Sequence, residues 1–374
     1  MRHILAFLLV VGCLAPVAVT AGAEPDQGFR TRAVWVTRWA FKDSADVKAL
    51  FAELDSVGVN TVFFQVRGSC DALYRSSVEP WSSLLSGRLG VDPGWDPLDV
   101  ALREGRSRGI QVHAWINLFT GWAVSDSGTP PPSSEPLHVL RAHPDWVASD
   151  REGRRMPLTK AEAGDNYAFL SPTHVDVQAH ISQVVRDLVG RYDLDGLHLD
   201  YVRFPDSSYS YDADSRAAFR LDVMLGGVGE KTPTYSEWRM KHLTDFVGRL
   251  AGIAREERPG IQVSATVWQK MEDAREIYLQ DGVGWMLRGH LDFLVPMIYT
   301  PSVEAFEDRL ATYVDAVGAE NVVAGLGPYL EAFTDSVLAT ELDTARAEGV
   351  RGYSVFNSDF ALKYGDVLKQ YGRK

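Results

Sequence analysis

Asp200 closes the stretch Asp195-Gly196-Leu197-His198-Leu199-Asp200-Tyr201-Val202-Arg203-Phe204-Pro205, which opens as an apolar strand and ends as a charged turn. Period-two alternation puts Gly196, His198 and Asp200 on one face and Leu197 and Leu199 on the other. A carboxylate at a strand end beside Arg203 is placed for acid–base work, or simply for an ion pair that caps the strand. Two further carboxyl groups, Asp71 and Glu79, sit in Asp71-Ala72-Leu73-Tyr74-Arg75-Ser76-Ser77-Val78-Glu79-Pro80-Trp81-Ser82. Splitting a glycosidic bond usually takes two carboxyl groups, one of which protonates the leaving oxygen. Apolar Pro80 and Trp81 would raise the pKa of Glu79, which suits that donor. Asp200 is then nucleophile or general base, with Asp71 the second choice of acid. Loop-closing hydrogen bonds or N-caps are the plain alternative for Asp71 and Glu79. Asp96, just before Pro97, reads as an N-cap, and Asp195 as structural.

Side chains expected near Asp200 favour a sugar. Strand ends carry Arg38-Trp39, Gln65-Val66-Arg67, Thr266-Val267-Trp268, Met297-Ile298-Tyr299 and Phe356-Asn357, and His113, Trp115 and Asn117 alternate on one strand face. Aromatic faces mixed with planar hydrogen-bonding groups match pyranose rings, which are apolar on their faces and hydroxylated at their edges. The expected binding set is Arg67, His113, Trp115, Asn117, His198, Tyr201, Arg203, Trp268 and Tyr299. For most of the ten tryptophans core packing is the ordinary role. His113, His198 and Asp200 also leave open a metal site, although two buried histidines are more simply core residues.

These residues need a scaffold that brings strand ends together. Apolar strands are expected over 33–38, 60–66, 110–116, 194–200, 261–267, 291–299, 321–326 and 352–356. Helices are expected over 46–55, 97–106, 175–191, 238–257 and 334–348. Gly58, Gly109 and Gly349 follow helices directly, where a left-handed residue ends the turn. Strands alternating with helices predict parallel pairing, and eight such units predict one closed (β/α)8 barrel. The loops after the second, third and fourth strands are long, Arg67 to Asp96, Asn117 to His174 and Tyr201 to Ser236. All three fall on the C-terminal face, where such barrels carry their sites.

Composition narrows the partners. The 374 residues carry a net charge of −12, against the basic footprint that nucleic acid requires. Met1-Arg2-His3, the apolar run Ile4 to Thr20 and Ala21-Gly22-Ala23 have the layout of a secretory signal peptide over residues 1–23. The barrel then occupies 24–374, periplasmic or secreted, without stable membrane insertion once the signal is removed. An uncleaved anchor, or lipidation at Cys13, is the alternative. With Cys13 removed, Cys70 is left without an intramolecular disulfide partner and reads as a structural thiol.

The motifs resemble the glycosyl hydrolase-like family 10 proteins, which are distinct from the family 10 xylanases. The resemblance runs through Arg32-Ala33-Val34-Trp35, Phe64-Gln65-Val66-Arg67, Asp71-Ala72-Leu73-Tyr74, Glu79-Pro80-Trp81-Ser82 and Trp95-Asp96-Pro97-Leu98. It continues through His113-Ala114-Trp115-Ile116-Asn117, His143-Pro144-Asp145-Trp146 and the Asp195–Pro205 stretch, with Pro296-Met297-Ile298-Tyr299 later. It implies an exported bacterial barrel acting on glycan chains, some relatives cutting peptidoglycan strands stripped of stem peptides. It also implies Asp200 as the leading catalytic residue, with the acids of the Asp71–Glu79 loop nearby, and the glycoside-hydrolase reading requires no cofactor. Relatives tend to carry Gln where this chain has Met297, and many carry extra C-terminal modules. Two other functions stay open: a non-catalytic glycan-binding barrel and a metal-dependent hydrolase or deacetylase.

Overall fold

A computed structural model describes residues 28–163, 165–226 and 232–372. The expected signal segment and Cys13 lie outside them. Eight strands form a closed parallel barrel: β1 Thr31–Val36, β2 Thr61–Arg67, β3 Gln111–Asn117, β4 Gly196–Asp200, β5 Gln262–Val267, β6 Phe293–Ile298, β7 Val323–Leu326 and β8 Gly352–Phe356. Each pairs with its neighbours in sequence order, and β8 closes onto β1. The expected (β/α)8 architecture is the one observed.

The connecting helices are α1 Ser44–Ser56, α2 Pro97–Arg108, α3 Val175–Arg191, α4 Tyr235–Glu257, α5 Gly282–Leu287, α6 Val303–Val317, α7 Asp335–Ala347 and α8 Ser358–Lys363. Their ends follow local chemistry. Asp96 caps α2 by accepting from the Asp99 amide, Pro97 fills the first turn, and Gly109 ends the helix at φ 68°. Thr234 and Glu237 form a reciprocal capping box at α4. Helix α6 and the short α5 and α8 add to the helices expected from sequence. Among the described residues no helix is long and apolar enough to cross a membrane.

The barrel interior is layered. His113 lies level with Gly196, Trp115 with His198, and Asn117 with Asp200. A Cβ on Gly196 would sit 2.2 Å from His113 Nδ1, so the glycine is what admits the imidazole. Trp35, Phe63, Phe293 and Val295 fill the middle of the interior. The long loop between β3 and α3 carries an antiparallel hairpin, Thr120–Ala123 with Tyr167–Phe169, in addition to the strands expected from sequence.

Candidate active site at the C-terminal rim

The carboxyl-terminal ends of the strands open into a cleft of about 640 Å³. Asp200 is the one carboxyl group among the described residues lining it. Its Oδ1 accepts from Thr266 Oγ1 at 2.5 Å and from the Tyr201 amide at 2.7 Å. Its Oδ2 accepts from Trp115 Nε1 at 3.1 Å. Tyr201 adopts φ 51°, a left-handed conformation in a bulky residue, and from there its N–H meets Asp200. Burial raises the Asp200 pKa from its ordinary value, opposed by the hydroxyl and amide donors and by Arg203.

Six further members of the expected set line the cleft with Asp200: Trp115, Asn117, Tyr201, Arg203, Trp268 and Tyr299. Asn117 Oδ1 accepts from Trp115 Nε1 at 2.9 Å, so the indole N–H is shared between Asn117 and Asp200. The Arg203 guanidinium lies 5.0 Å from the Tyr201 ring centroid and 5.6 Å from that of Trp268, with Asp165 at 3.5 Å.

Five expected residues are elsewhere. Arg67 is fully buried: a β-bulge between Gln65 and Arg67 breaks the alternation that would have carried both to the same face. Gln65 reaches the cleft, whereas Arg67 grips Glu79 with two hydrogen bonds of 2.8 and 2.7 Å. Glu79 also pairs with His180 of α3 at 2.9 Å. The raised pKa expected for Glu79 is therefore corrected. Burial pushes it up, but Arg67 and His180 outweigh this and hold it at about 2. A carboxylate so held is enclosed and lies outside the cleft lining.

Asp71 is also buried and outside the cleft lining. It accepts from the Ser69 amide at 2.9 Å and stands 3.8 Å from Arg38, the loop-closing alternative. His113 and His198 lie in the layers beneath the cleft, not in its lining. His198 accepts from Trp35 Nε1 at 3.0 Å and its Nδ1 meets Ser264 Oγ at 2.9 Å, so both ring nitrogens are engaged. Burial drives both histidines to low pKa, His113 to about 3. The His113–His198–Asp200 ligand set is thus not assembled.

Among the described residues the one group of ligand-type side chains close enough to share a metal is His174, Asp212 and Asp214, off this cleft. His174 Nδ1 accepts from the Asp176 amide, which leaves the proton on Nε2, beside Asp214 at 3.2 Å. That tautomer does not suit metal ligation at Nε2. Cys70 is buried against Arg67, and burial pushes its thiol up to about 12, consistent with a structural role. Asp96 and Asp195 have the local roles expected of them, Asp195 accepting from the Val112 amide at 2.8 Å.

Residues absent from the expected binding set complete the cleft. Arg38, Trp39, Gln65, Thr266, Met297 and Phe356 belong to the strand ends already singled out, whereas Trp35, Thr37, Ala123, Asn166, Tyr167 and Tyr329 do not. Tyr167 arrives on the hairpin, where its hydroxyl accepts from Arg38 at 3.2 Å. Trp39 is 58% and Tyr329 42% exposed, leaving aromatic faces open at the rim.

The family model described as "Glycosyl hydrolase-like 10" matches residues 30–324. The chain is 30% identical to the protein named glycosyl hydrolase DigH of Escherichia coli over 268 residues, 66% of this chain and 56% of that protein. It is 25% identical to the protein named glycosyl hydrolase YngK of Bacillus subtilis, over 80% of this chain and 60% of that one. It therefore spans little more than half the length of these curated relatives. Among solved structures, the PgaB (BpsB) glycoside hydrolase domain from Bordetella bronchiseptica superposes with a TM-score of 0.68 at 15% identity, covering 92% of this chain and 99% of that one. An α-L-fucosidase from Paenibacillus thiaminolyticus superposes with 0.64, also at 15% identity, over 91% of this chain and 49% of that one. At such identity these two likenesses establish the barrel fold.

Proposed function

The chain belongs to the glycosyl hydrolase-like 10 family, and from that premise we propose that it is an exported glycoside hydrolase acting on an amino-sugar polymer, namely peptidoglycan strands lacking stem peptides. The observation that carries this reading is Asp200, a carboxyl group of raised pKa in an aromatic-walled cleft at the C-terminal rim of the barrel. The two hydrogen bonds on Oδ1 and the single one on Oδ2 leave Oδ2 as the oxygen to hold a proton.

In this reading Asp200 is the general acid. It gives its proton to the glycosidic oxygen as the bond to the anomeric carbon breaks. An N-acetylated sugar brings its own acetamido oxygen to that carbon, as in the substrate-assisted class, so one protein carboxyl group suffices. Water then opens the cyclic intermediate and returns a proton to Asp200.

The test is digestion of peptidoglycan with and without stem peptides by wild type and Asp200→Asn, read by mass spectrometry. New glycan ends from wild type alone are expected, with kcat/KM of the variant down by about 10²–10⁴-fold. Equal products from both proteins would move the chemistry away from Asp200. Binding without products from either would favour a non-catalytic glycan-binding barrel.

A further inference from the structure

A second groove of about 650 Å³ lies against the hairpin that walls the cleft. Ala123 lines both spaces. It pairs with Tyr167, another cleft residue, whereas Trp122 pairs with Ala168 and belongs to the opposite face of the hairpin. The hairpin is thus a wall with the cleft on one side and Trp122 on the other, and the exposed methyl of Ala123 forms a low saddle between them.

The groove is built rather than incidental. Trp122 donates from Nε1 to the Thr129 carbonyl at 3.1 Å and packs edge-on against the His138 ring at 5.0 Å. His138 is itself fully buried and tied to the Ser69 carbonyl at 2.8 Å. The indole is therefore fixed before any ligand arrives, which lowers the ordering cost of binding. Pro130–Pro132 give a stiff apolar lining, held by Arg141 donating to the Pro131 carbonyl at 3.3 Å. Ser125, Ser127 and Thr129 add hydroxyls beside this apolar surface, joined by Ser127 Oγ to Thr129 Oγ1 at 2.6 Å and to Ser125 Oγ at 3.3 Å. A fixed indole, a stiff apolar lining and peripheral hydroxyls are the chemistry that binds a sugar ring.

We infer that this groove is a distal glycan subsite that holds the same chain several sugars away from the bond at Asp200, the strand passing over Ala123. The inference rests on the glycosidase reading above and adds that the enzyme grips long strands on both sides of the hairpin wall. Its substrate preference therefore rises with chain length, and Trp122 is the residue that sets the rise.

The test uses wild type, Trp122→Ala and Ser127→Trp, the last of which adds bulk to the groove lining and removes the Ser127–Thr129 hydroxyl bond, while neither the Thr129 carbonyl that holds Trp122 nor the His138 ring against it is altered. Each is given stem-free peptidoglycan strands fractionated into short fragments and long chains, and kcat/KM is compared between fractions. Binding of the same fractions to the Asp200→Asn form of each protein gives a second readout. The long-over-short ratio is expected to fall about tenfold in both variants, or about 1.4 kcal/mol. A ratio unmoved in Ser127→Trp, with wild type cutting both fractions, would overturn the distal subsite and leave the glycosidase reading standing. No cleavage and no binding of either fraction by any protein would overturn both.

Discussion

Thr266 Oγ1 donates to Asp200 Oδ1 at 2.5 Å, a bond between the ends of neighbouring strands β5 and β4. It favours the ionised carboxylate and so works against the burial that raises the Asp200 pKa. If the protonated form is the catalyst, activity falls as pH rises through that pKa. Thr266→Val removes the donor, and the alkaline limb of kcat/KM is expected to move upward by about half to one pH unit. A downward move or an unmoved limb would separate Asp200 from the proton-donor role. Measuring the full pH profile of both proteins decides it.

Glu79 and Arg67 are a stability pair. The Glu79 pKa of about 2 lies below its unfolded value near 4.5, so its contribution is complete above about pH 4.5 and is lost as pH falls toward 2. Glu79→Gln should cost on the order of 3 kcal/mol at neutral pH by leaving Arg67 buried without its counter-charge. The gap between wild type and variant should narrow on acidification. Urea midpoints at neutral and acidic pH check both statements. His113 and His198, held neutral by burial, have the same sign over a higher window: their contribution is complete above about pH 6.5 and declines below it.

Glu341 on α7 has the opposite sign. It is fully buried, neither carboxyl oxygen has a hydrogen-bond partner among the described residues, and burial pushes its pKa up to about 9. The unfolded chain releases this proton near pH 4.5, so stability is lost as pH rises from there to about 9. Glu341→Leu is expected to raise stability by about 2 kcal/mol at pH 8 and by much less at pH 5. Thermal melts at the two pH values measure it. An equal gain at both would mean that Glu341 is not protonated in the folded state.

Trp39 is exposed at the cleft rim with the Arg38 guanidinium 4.7 Å from its ring centroid. If it stacks on a sugar in ground state and transition state alike, Trp39→Ala should raise KM about three- to tenfold with kcat little changed, an indole stacking contribution of about 1 kcal/mol. Steady-state kinetics on soluble strands separate the two parameters. A fall in kcat at constant KM would place Trp39 in the chemistry instead.

Strand order, barrel closure and the place of Asp200 were legible in the sequence because they depend on local pattern. Apolar runs alternating with helices at this spacing admit few packings, and a carboxylate at the last inward position of β4 must surface at the rim. For the same reason Trp115 and Asn117 of β3 face the cleft as alternation requires, and Trp268 and Tyr299, each one residue past its strand, stand at the rim.

Long-range contacts decided the rest. The bulge at Gln65 and Arg67 reversed the facing of Arg67, and a register shift leaves no mark in residue type. Glu79 was read from its sequence neighbours Pro80 and Trp81, but its pKa is governed by Arg67 and by His180, 101 residues away. Tyr167, Asn166 and Ala123 enter the cleft because a long loop folds back as a hairpin, through pairing between segments some 45 residues apart. His113 and His198 share the inward face with Asp200, yet height along the barrel axis separates them from the cleft. Period and propensity determine which face a side chain takes. Only the closed barrel and its folded loops determine how deep it lies and which charge it meets, because electrostatic environment depends on distance in space and not along the chain.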